Sequence, residues 1–277
     1  MQSPLSRMSN LGQRVVAGII GGALMVGGIC FSEWTYFLLF GAILFFAQKE
    51  FYKLSIGDGH APLTNLGGVI GLLLFGFTFF QQKNLIPAQW LVLLPVLLGL
   101  VFLVKLYHIE NKPFTNVAYT FMGIIYVAMP FSMMNVAAFS QGNGYSFHVV
   151  MGTMLLLWSS DSGAYFAGSK FGKTRLFERI SPKKSWEGFA GGMALALVVA
   201  YVLSLFFTDL VLWKWLVIAC VMVCVGTYGD LVESMLKRSI AIKDSGDIIP
   251  GHGGFLDRFD GLLLAAPVVA AFLTLVK

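Results

Sequence analysis

Nine runs of predominantly apolar residues, at roughly 14–31, 34–48, 65–81, 88–105, 116–140, 147–168, 187–207, 211–230 and 261–276, constrain this chain more than any other feature. Hydrocarbon offers no partner for a free backbone N–H or C=O, so a run of about 20 apolar residues is stable there only as a helix. The second and third runs are short, and the sixth and eighth carry acids. The pattern predicts an all-α, polytopic integral membrane protein with about nine transmembrane helices. Composition agrees: 57% of the residues are hydrophobic and 12% are charged, about half the charge density of a soluble domain. A soluble enzyme, a secreted disulfide scaffold and a disordered chain are excluded. Cys30, Cys220 and Cys224 lie within apolar stretches, without CxxC spacing or a nearby histidine. They read as packing residues rather than a redox or zinc site. The first run follows Arg7 and Arg14 as a signal peptide would. It has no small-x-small cleavage site and is expected to be a retained helix.

The loops test the count. With a cytoplasmic N-terminus, the inside segments hold Arg7 and Arg14, then Lys49 and Lys53, then Lys105 and Lys112. The later ones hold Lys170, Lys173, Arg175, Arg179, Lys183 and Lys184, then Lys237, Arg238, Lys243 and Arg258. Sixteen of the nineteen cations fall inside, leaving Lys83, Lys214 and Lys277 outside, as the positive-inside rule requires. The two longest loops, about 167–186 and 231–260, share the cytoplasmic side. Residues 1–140 read as a scaffold of helices, and 141–277 as helices bearing the chemistry.

Polar residues at membrane depth are costly and call for a reason. Asp161 stands in an apolar run beside Ser159, Ser160 and Ser162, which suggests a hydrated pocket. The loop from Lys170 to Glu187 ends in Ser181-Pro182-Lys183-Lys184-Ser185-Trp186-Glu187. Serine, then proline, then an acid resembles a helix start at Ser181 and Pro182. Backbone N–H groups there, with Lys183 and Lys184, would seat a phosphate. Further on, Asp230, Glu233, Ser234, Lys237 and Arg238 recur at helical spacing and form one polar stripe. In the next loop, Gly251, Gly253 and Gly254 flank His252 and permit positive φ and close backbone approach to an anion. Asp257 and Asp260 can then share a helix face. Carboxylates among Lys and Arg suit a hard cation such as Mg²⁺, with phosphates completing its shell.

Residues 234–260 closely resemble the signature of the phosphatidate cytidylyltransferases, also called CDP-diacylglycerol synthases. The matching positions are Ser234, Leu236, Lys237 and Arg238, then Lys243, Asp244 and Gly246. Pro250 to Gly254 follow, and Asp257, Arg258 and Asp260 close the pattern. Asp161 to Tyr165 and Ser181 to Gly188 are also similar to family elements, so the resemblance covers about 160–265. Over the first 140 residues it is one of hydropathy.

The resemblance implies CTP + phosphatidate → CDP-diacylglycerol + pyrophosphate, with Mg²⁺ held by Asp230 and Asp257. Asp260 and Asp244 would be secondary ligands or orienting groups, and a second, monovalent cation is left open. The residues fit this chemistry. A phosphate monoester is already nucleophilic, so what is needed is charge cancellation and in-line alignment. Arg258, Lys243, Lys237 and Arg238 would neutralise phosphate oxygens. Arg175, Lys183 and Lys184, beside Ser181 and Ser185, would hold the lipid phosphate or the triphosphate tail, and His252 would donate a hydrogen bond or brace its loop. Asp161 would line the same pocket. The expected partners are CTP, phosphatidate entering laterally and bilayer lipids, with no nucleic acid. The resemblance places the site on the cytoplasmic side of a bacterial inner membrane.

Two rivals remain to be weighed. The CDP-alcohol phosphatidyltransferases use a denser acid motif that is absent from this sequence. An ion- or proton-coupled transporter would use Asp161 and Asp230. The other histidines, His60, His108 and His148, read as interfacial residues without an acid partner. Gly18/Gly22, Gly67/Gly71 and Gly188/Gly192 have spacing for close helix contact, either within the chain or in a homodimer.

Overall fold

The computed structural model describes residues 10–142, 144–242, 245–246 and 253–276. Arg7, Lys243, Asp244, Pro250, Gly251, His252 and Lys277, assigned roles above, lie outside the described residues. The helices are α1 (Asn10–Cys30), α2 (Glu33–Gly57), α3 (Thr64–Gln82), α4 (Leu93–Leu106), α5 (Pro113–Met122), α6 (Met129–Ala138), α7 (Phe147–Phe171), α8 (Trp186–Phe206), α9 (Leu212–Ser239) and α10 (Leu256–Leu275). A 3₁₀ segment, Ala88–Val92, leads into α4, and a π-helical turn, Gly123–Ala128, joins α5 to α6 as one rod. Two short strands, β1 (Arg175–Phe177) and β2 (Ser181–Ser185), pair antiparallel and are the exception to an all-α fold.

The helix starts follow local chemistry. Ser32 and Thr35 form a reciprocal capping box on α2. The Ser146 and Ser185 hydroxyls accept the N–H groups of Val149 and Gly188 at the starts of α7 and α8. Pro113 opens α5, where its missing N–H costs nothing.

Six of these rods are long and apolar enough to cross a bilayer among the described residues: Thr64–Gln82, Ala88–Leu106, Pro113–Ala138, Trp186–Phe206, Leu212–Ser239 and Leu256–Leu275. The expected count of nine is corrected to six. The apolar part of α1, Val15–Cys30, is short. Helix α2 is interrupted by Glu33, Lys49, Glu50 and Lys53, and α7 by Asp161 and its serines. The rods differ in exposure: 61% of the Pro113–Ala138 window is buried against 11% for Ala88–Leu106. The first is central and the second peripheral.

Several buried polar groups are paired across helices, as a low-dielectric interior favours. Asn135 accepts from the Tyr36 hydroxyl and donates to Phe75 O and Thr78 Oγ1, each at 2.9 Å, tying α2, α3 and α6. Glycines permit close packing where predicted. A Cβ on Gly188 or Gly192 would lie 2.9 Å from Ala164 O or 2.8 Å from Ser160 O, so α8 rides directly on α7. Gly67 and Gly71 face Tyr52 and Gln48 of α2. Gly22 has nothing within 4 Å of its would-be Cβ.

Two histidines do have acid partners. His148 Nδ1 is 2.8 Å from Asp209 Oδ1, and His60 Nε2 is 3.3 Å from Asp58 Oδ2. The first pair joins residues 61 apart, which no local pattern reveals.

Candidate active site

The site is organised by the contact between α9 and α10. A Cβ on Gly229 would sit 2.6 Å from Asp260 O, and one on Gly226 would sit 3.7 Å from Gly261 O. The two backbones therefore run against each other with only hydrogens between them. Their register brings Asp230 near Asp260, and the long Lys237 side chain reaches Asp257 from further along α9. The polar stripe of α9 thus faces the start of α10, and this divides the acids into two groups.

In the first group, Lys184 Nζ is 2.5 Å from Asp230 Oδ2, and Ser234 Oγ donates to Asp230 Oδ1 at 3.1 Å. Asp161 on α7 and Asp260 on α10 are in electrostatic contact with Asp230 and Lys184, and Arg258 with Asp161. Asp260 Oδ1 accepts the Gly261 N–H at 2.6 Å. Four separate elements meet here.

Lys184 reaches this group because it lies on a strand. The expected helix start at Ser181-Pro182 is incorrect: Ser181–Ser185 is β2, and the capping residue of α8 is Ser185. Pairing with β1 overrides the local signal. Alternation along a strand sends neighbouring side chains to opposite faces, so Lys184 turns to Asp230 while Lys183 stays exposed. The hairpin is pinned at its base. Trp186 N–H donates to Thr174 O at 2.9 Å, and the Glu187 carboxylate accepts the N–H groups of Lys173 and Thr174 at 3.1 Å each. Arg175 and Lys183 are exposed and make no ion pair among the described residues, and Ser181 is half-buried.

In the second group, Lys237 Nζ lies 2.5 Å from Glu233 Oε2 and 2.6 Å from Asp257 Oδ1, and Glu233 is wholly buried. Asp257 Oδ2 accepts two backbone N–H groups, from Ser245 and Gly254, each at 3.0 Å. Gly253 adopts φ +85°, the left-handed conformation its position was expected to need. The anions that the glycine turn approaches are the protein's own. A Cβ on Gly253 would lie 3.0 Å from Asp257 Oδ2, and one on Gly254 would collide with Glu50 Oε2. Arg238 points away from both groups, donating to Ile242 O at 3.2 Å at the C-terminal end of α9.

Two polar residues of the first 140, Glu50 and Tyr126, enter this region. Glu50, 2% exposed on α2, accepts the Leu256 N–H at 2.9 Å. The Tyr126 hydroxyl, on the π-helical turn, is buried without a hydrogen-bond partner among the described residues and is in electrostatic contact with Glu233, Asp260 and Asp230. Its signal was an irregular turn, which periodicity does not report.

Among the described residues no group of three or more His, Cys, Asp and Glu converges tightly enough to hold a metal alone. The donor chemistry nevertheless fits Mg²⁺, which takes one or two carboxylates and leaves its other positions to phosphates and water. On Asp230 and on Asp257, an ammonium group rests on the oxygen a metal would take.

Comparison with known proteins places the chain in a family. The model of the Cytidylyltransferase family matches residues 12–276. The chain is 34% identical to the phosphatidate cytidylyltransferase of Bacillus subtilis (strain 168) over 279 residues, covering 97% of this chain and 99% of the relative. It is 32% identical to that of Staphylococcus saprophyticus over 252 residues, with 89% and 90% covered, and 33% identical to that of Staphylococcus haemolyticus over 253 residues, with the same coverage. Similarity along almost the whole length, and not only over the signature, shows that this chain belongs to the phosphatidate cytidylyltransferase, or CDP-diacylglycerol synthase, family.

Proposed function

We infer that the chain catalyses CTP + phosphatidate → CDP-diacylglycerol + pyrophosphate within the membrane, as a CTP:phosphatidate cytidylyltransferase of phospholipid biosynthesis. Beyond family membership, one observation carries this reading: acids and cations from α7, β2, α9 and α10 converge at a single end of the helix bundle. A transport path would require such groups to continue toward the other end. Among the described residues there, Lys83 pairs with Glu33, Asp209 with His148, and Lys214 donates to Val276 O.

Two polyanions must be brought together, so the cations do the first work. Lys184 and Lys237 rest on Asp230 and Asp257 and are free to exchange these carboxylates for phosphate oxygens. Arg258 is exposed beside Asp161 and adds a fork-shaped donor. The phosphatidate phosphate attacks the α-phosphorus of CTP, the new P–O bond forms as the bond to the β-phosphate oxygen breaks, and pyrophosphate leaves. Bound Mg²⁺ supplies charge cancellation on the triphosphate and its leaving group. Asp230 would hold it, with Asp260 facing the same space, and Asp257 would join only if Lys237 leaves its Oδ1. Arg175 and Lys183, exposed on the hairpin, would meet a phosphate group at the membrane boundary. Lys243, Asp244 and His252 keep the roles proposed from the sequence.

The end that holds the site also carries Lys49, Lys53, Lys105 and Lys112, which supports a cytoplasmic site in a bacterial inner membrane and an N-terminus on that side. Residues 1–140 would support the site and contribute Glu50 and Tyr126, while 141–277 carry most of the chemistry. The test is incorporation of labelled CTP into chloroform-soluble lipid by the purified protein in phosphatidate micelles. Incorporation that requires Mg²⁺ and disappears in Asp230→Asn is expected. Absence of incorporation from the wild-type protein overturns the reading.

A further inference from the structure

Helix α2 touches the signature turn at two positions one helical turn apart. Phe46 stacks on Phe255 with ring centroids 5.2 Å apart. Glu50 Oε2 accepts the Leu256 N–H at 2.9 Å and lies 3.4 Å from Ser245 Oγ. Leu256 is the first residue of α10, whose first turn carries Asp257 and Arg258, with Asp260 just beyond it. Ser245 is the residue whose N–H holds Asp257. Glu50 is 2% exposed, and its Oε1 has no hydrogen-bond partner among the described residues.

The glycines of the turn are shaped around this carboxyl group. A Cβ on Gly246 would lie 2.8 Å from Glu50 Oε1 and 3.0 Å from its Cδ, and its three nearest neighbours all belong to Glu50. Neither Gly246 nor Gly254 needs a positive φ. Their lack of a side chain is therefore explained by space rather than by backbone conformation.

We propose that Glu50 is a positioning residue for the cytidylyl-transfer site. It draws the strand of chain around Ser245 and the first turn of α10 onto α2, and so sets the height at which Asp257, Arg258 and Asp260 face α9. It acts through the turn and does not touch the substrates. A buried acid at the end of an apolar helix is costly unless it is held, and its backbone partner lies 206 residues further along the chain. The proposal rests on the assignment of this turn to the active site.

The experiment compares the full-length wild type with Glu50→Ala, Glu50→Gln, Gly246→Ala and the double variant Glu50→Ala/Gly246→Ala, each purified in detergent micelles. Hydrogen exchange is followed by mass spectrometry, and kcat and KM for CTP are measured in parallel. Glu50→Ala should raise exchange in the 245–258 segment, leave α7 and α8 as protected as in the wild type, and lower kcat about tenfold, the scale of one lost charge-assisted hydrogen bond. Glu50→Gln keeps an acceptor for Leu256 N–H and should recover most of both. Gly246→Ala should loosen the same segment in the wild type and add little in the Glu50→Ala background, where its Cβ has room. Unchanged exchange in Glu50→Ala overturns the proposal, as do fully additive effects. Should Glu50→Ala fail to fold, unchanged exchange in Gly246→Ala has the same force. A looser segment with wild-type kcat overturns the positioning role but leaves the reaction assigned, whereas an inactive wild type overturns the reaction itself.

Discussion

Lys184 Nζ lies 2.5 Å from Asp230 Oδ2, a contact between a surface hairpin and the end of a membrane helix. Neither side chain is fully buried, at 25% and 37% exposure, and an ion pair this exposed adds little to stability. Its proposed importance is positional: the cation assigned to phosphate rests on the acid assigned to the metal.

Lys184→Ala should therefore lower cytidylyl transfer about 100-fold, the scale of removing one preorganised donor from developing charge, with the unfolding temperature nearly unchanged. Lys183→Ala, on the opposite face of the strand, should cost less than about threefold. Initial rates of label incorporation at saturating CTP distinguish the two.

Lys237 answers to Glu233 as well as Asp257, and Glu233 is wholly buried. Lys237→Ala leaves that acid without a counter-ion and should destabilise the protein by about 3–5 kcal/mol. The double variant Glu233→Gln/Lys237→Met should regain much of the loss. Thermal unfolding in a single detergent checks both.

Tyr126 has a buried hydroxyl within electrostatic range of Glu233, Asp260 and Asp230 and without a hydrogen-bond partner among the described residues. Tyr126→Phe keeps the ring, including its contact with Phe51 at 6.1 Å. It should lower kcat/KM about tenfold, as expected for one hydrogen bond made to substrate. Wild-type kinetics in this variant would show the hydroxyl to be idle.

At the far end of the bundle, burial opposes ionisation of Asp209, but hydrogen bonds from Ser146 and His148 outweigh it and hold the carboxyl below the usual range. A folded-state value below the unfolded one stabilises above the unfolded value, and that contribution is lost as pH falls through the folded one. Asp209→Asn should lower the unfolding temperature at neutral pH. The difference from wild type should shrink below about pH 4, the ordinary aspartate range. A difference that persists unchanged into acid would refute the link.

The polar stripe of α9 and the glycine turn were legible because their signals are local. The stripe from Asp230 to Lys237 repeats at the helical period, and Gly253 needs a conformation that other residues avoid. The hairpin was misread because Ser181-Pro182 satisfies the local rules of a helix start, and only pairing with Arg175–Phe177 decides otherwise. Glu50 was hidden differently. Beside Lys49 at the end of an apolar run it looks interfacial, and its role exists only once Leu256 is placed against it.

By itself the sequence determined that this chain is a multi-spanning membrane protein and that a polar stripe runs along one helix from Asp230 to Arg238. Both follow from short-range physics, the cost of an unpaired backbone in hydrocarbon and the periodicity of a helix. Only the tertiary structure decided how the acids divide, with Asp230 facing Lys184 and Asp260, and Asp257 tied to Lys237 and the glycine turn. That division depends on the register of α9 against α10, set by backbone approach at Gly226, Gly229 and Gly261. It depends also on a carboxyl group delivered from α2. Contacts between distant segments are fixed by packing, and no local pattern along the chain records them.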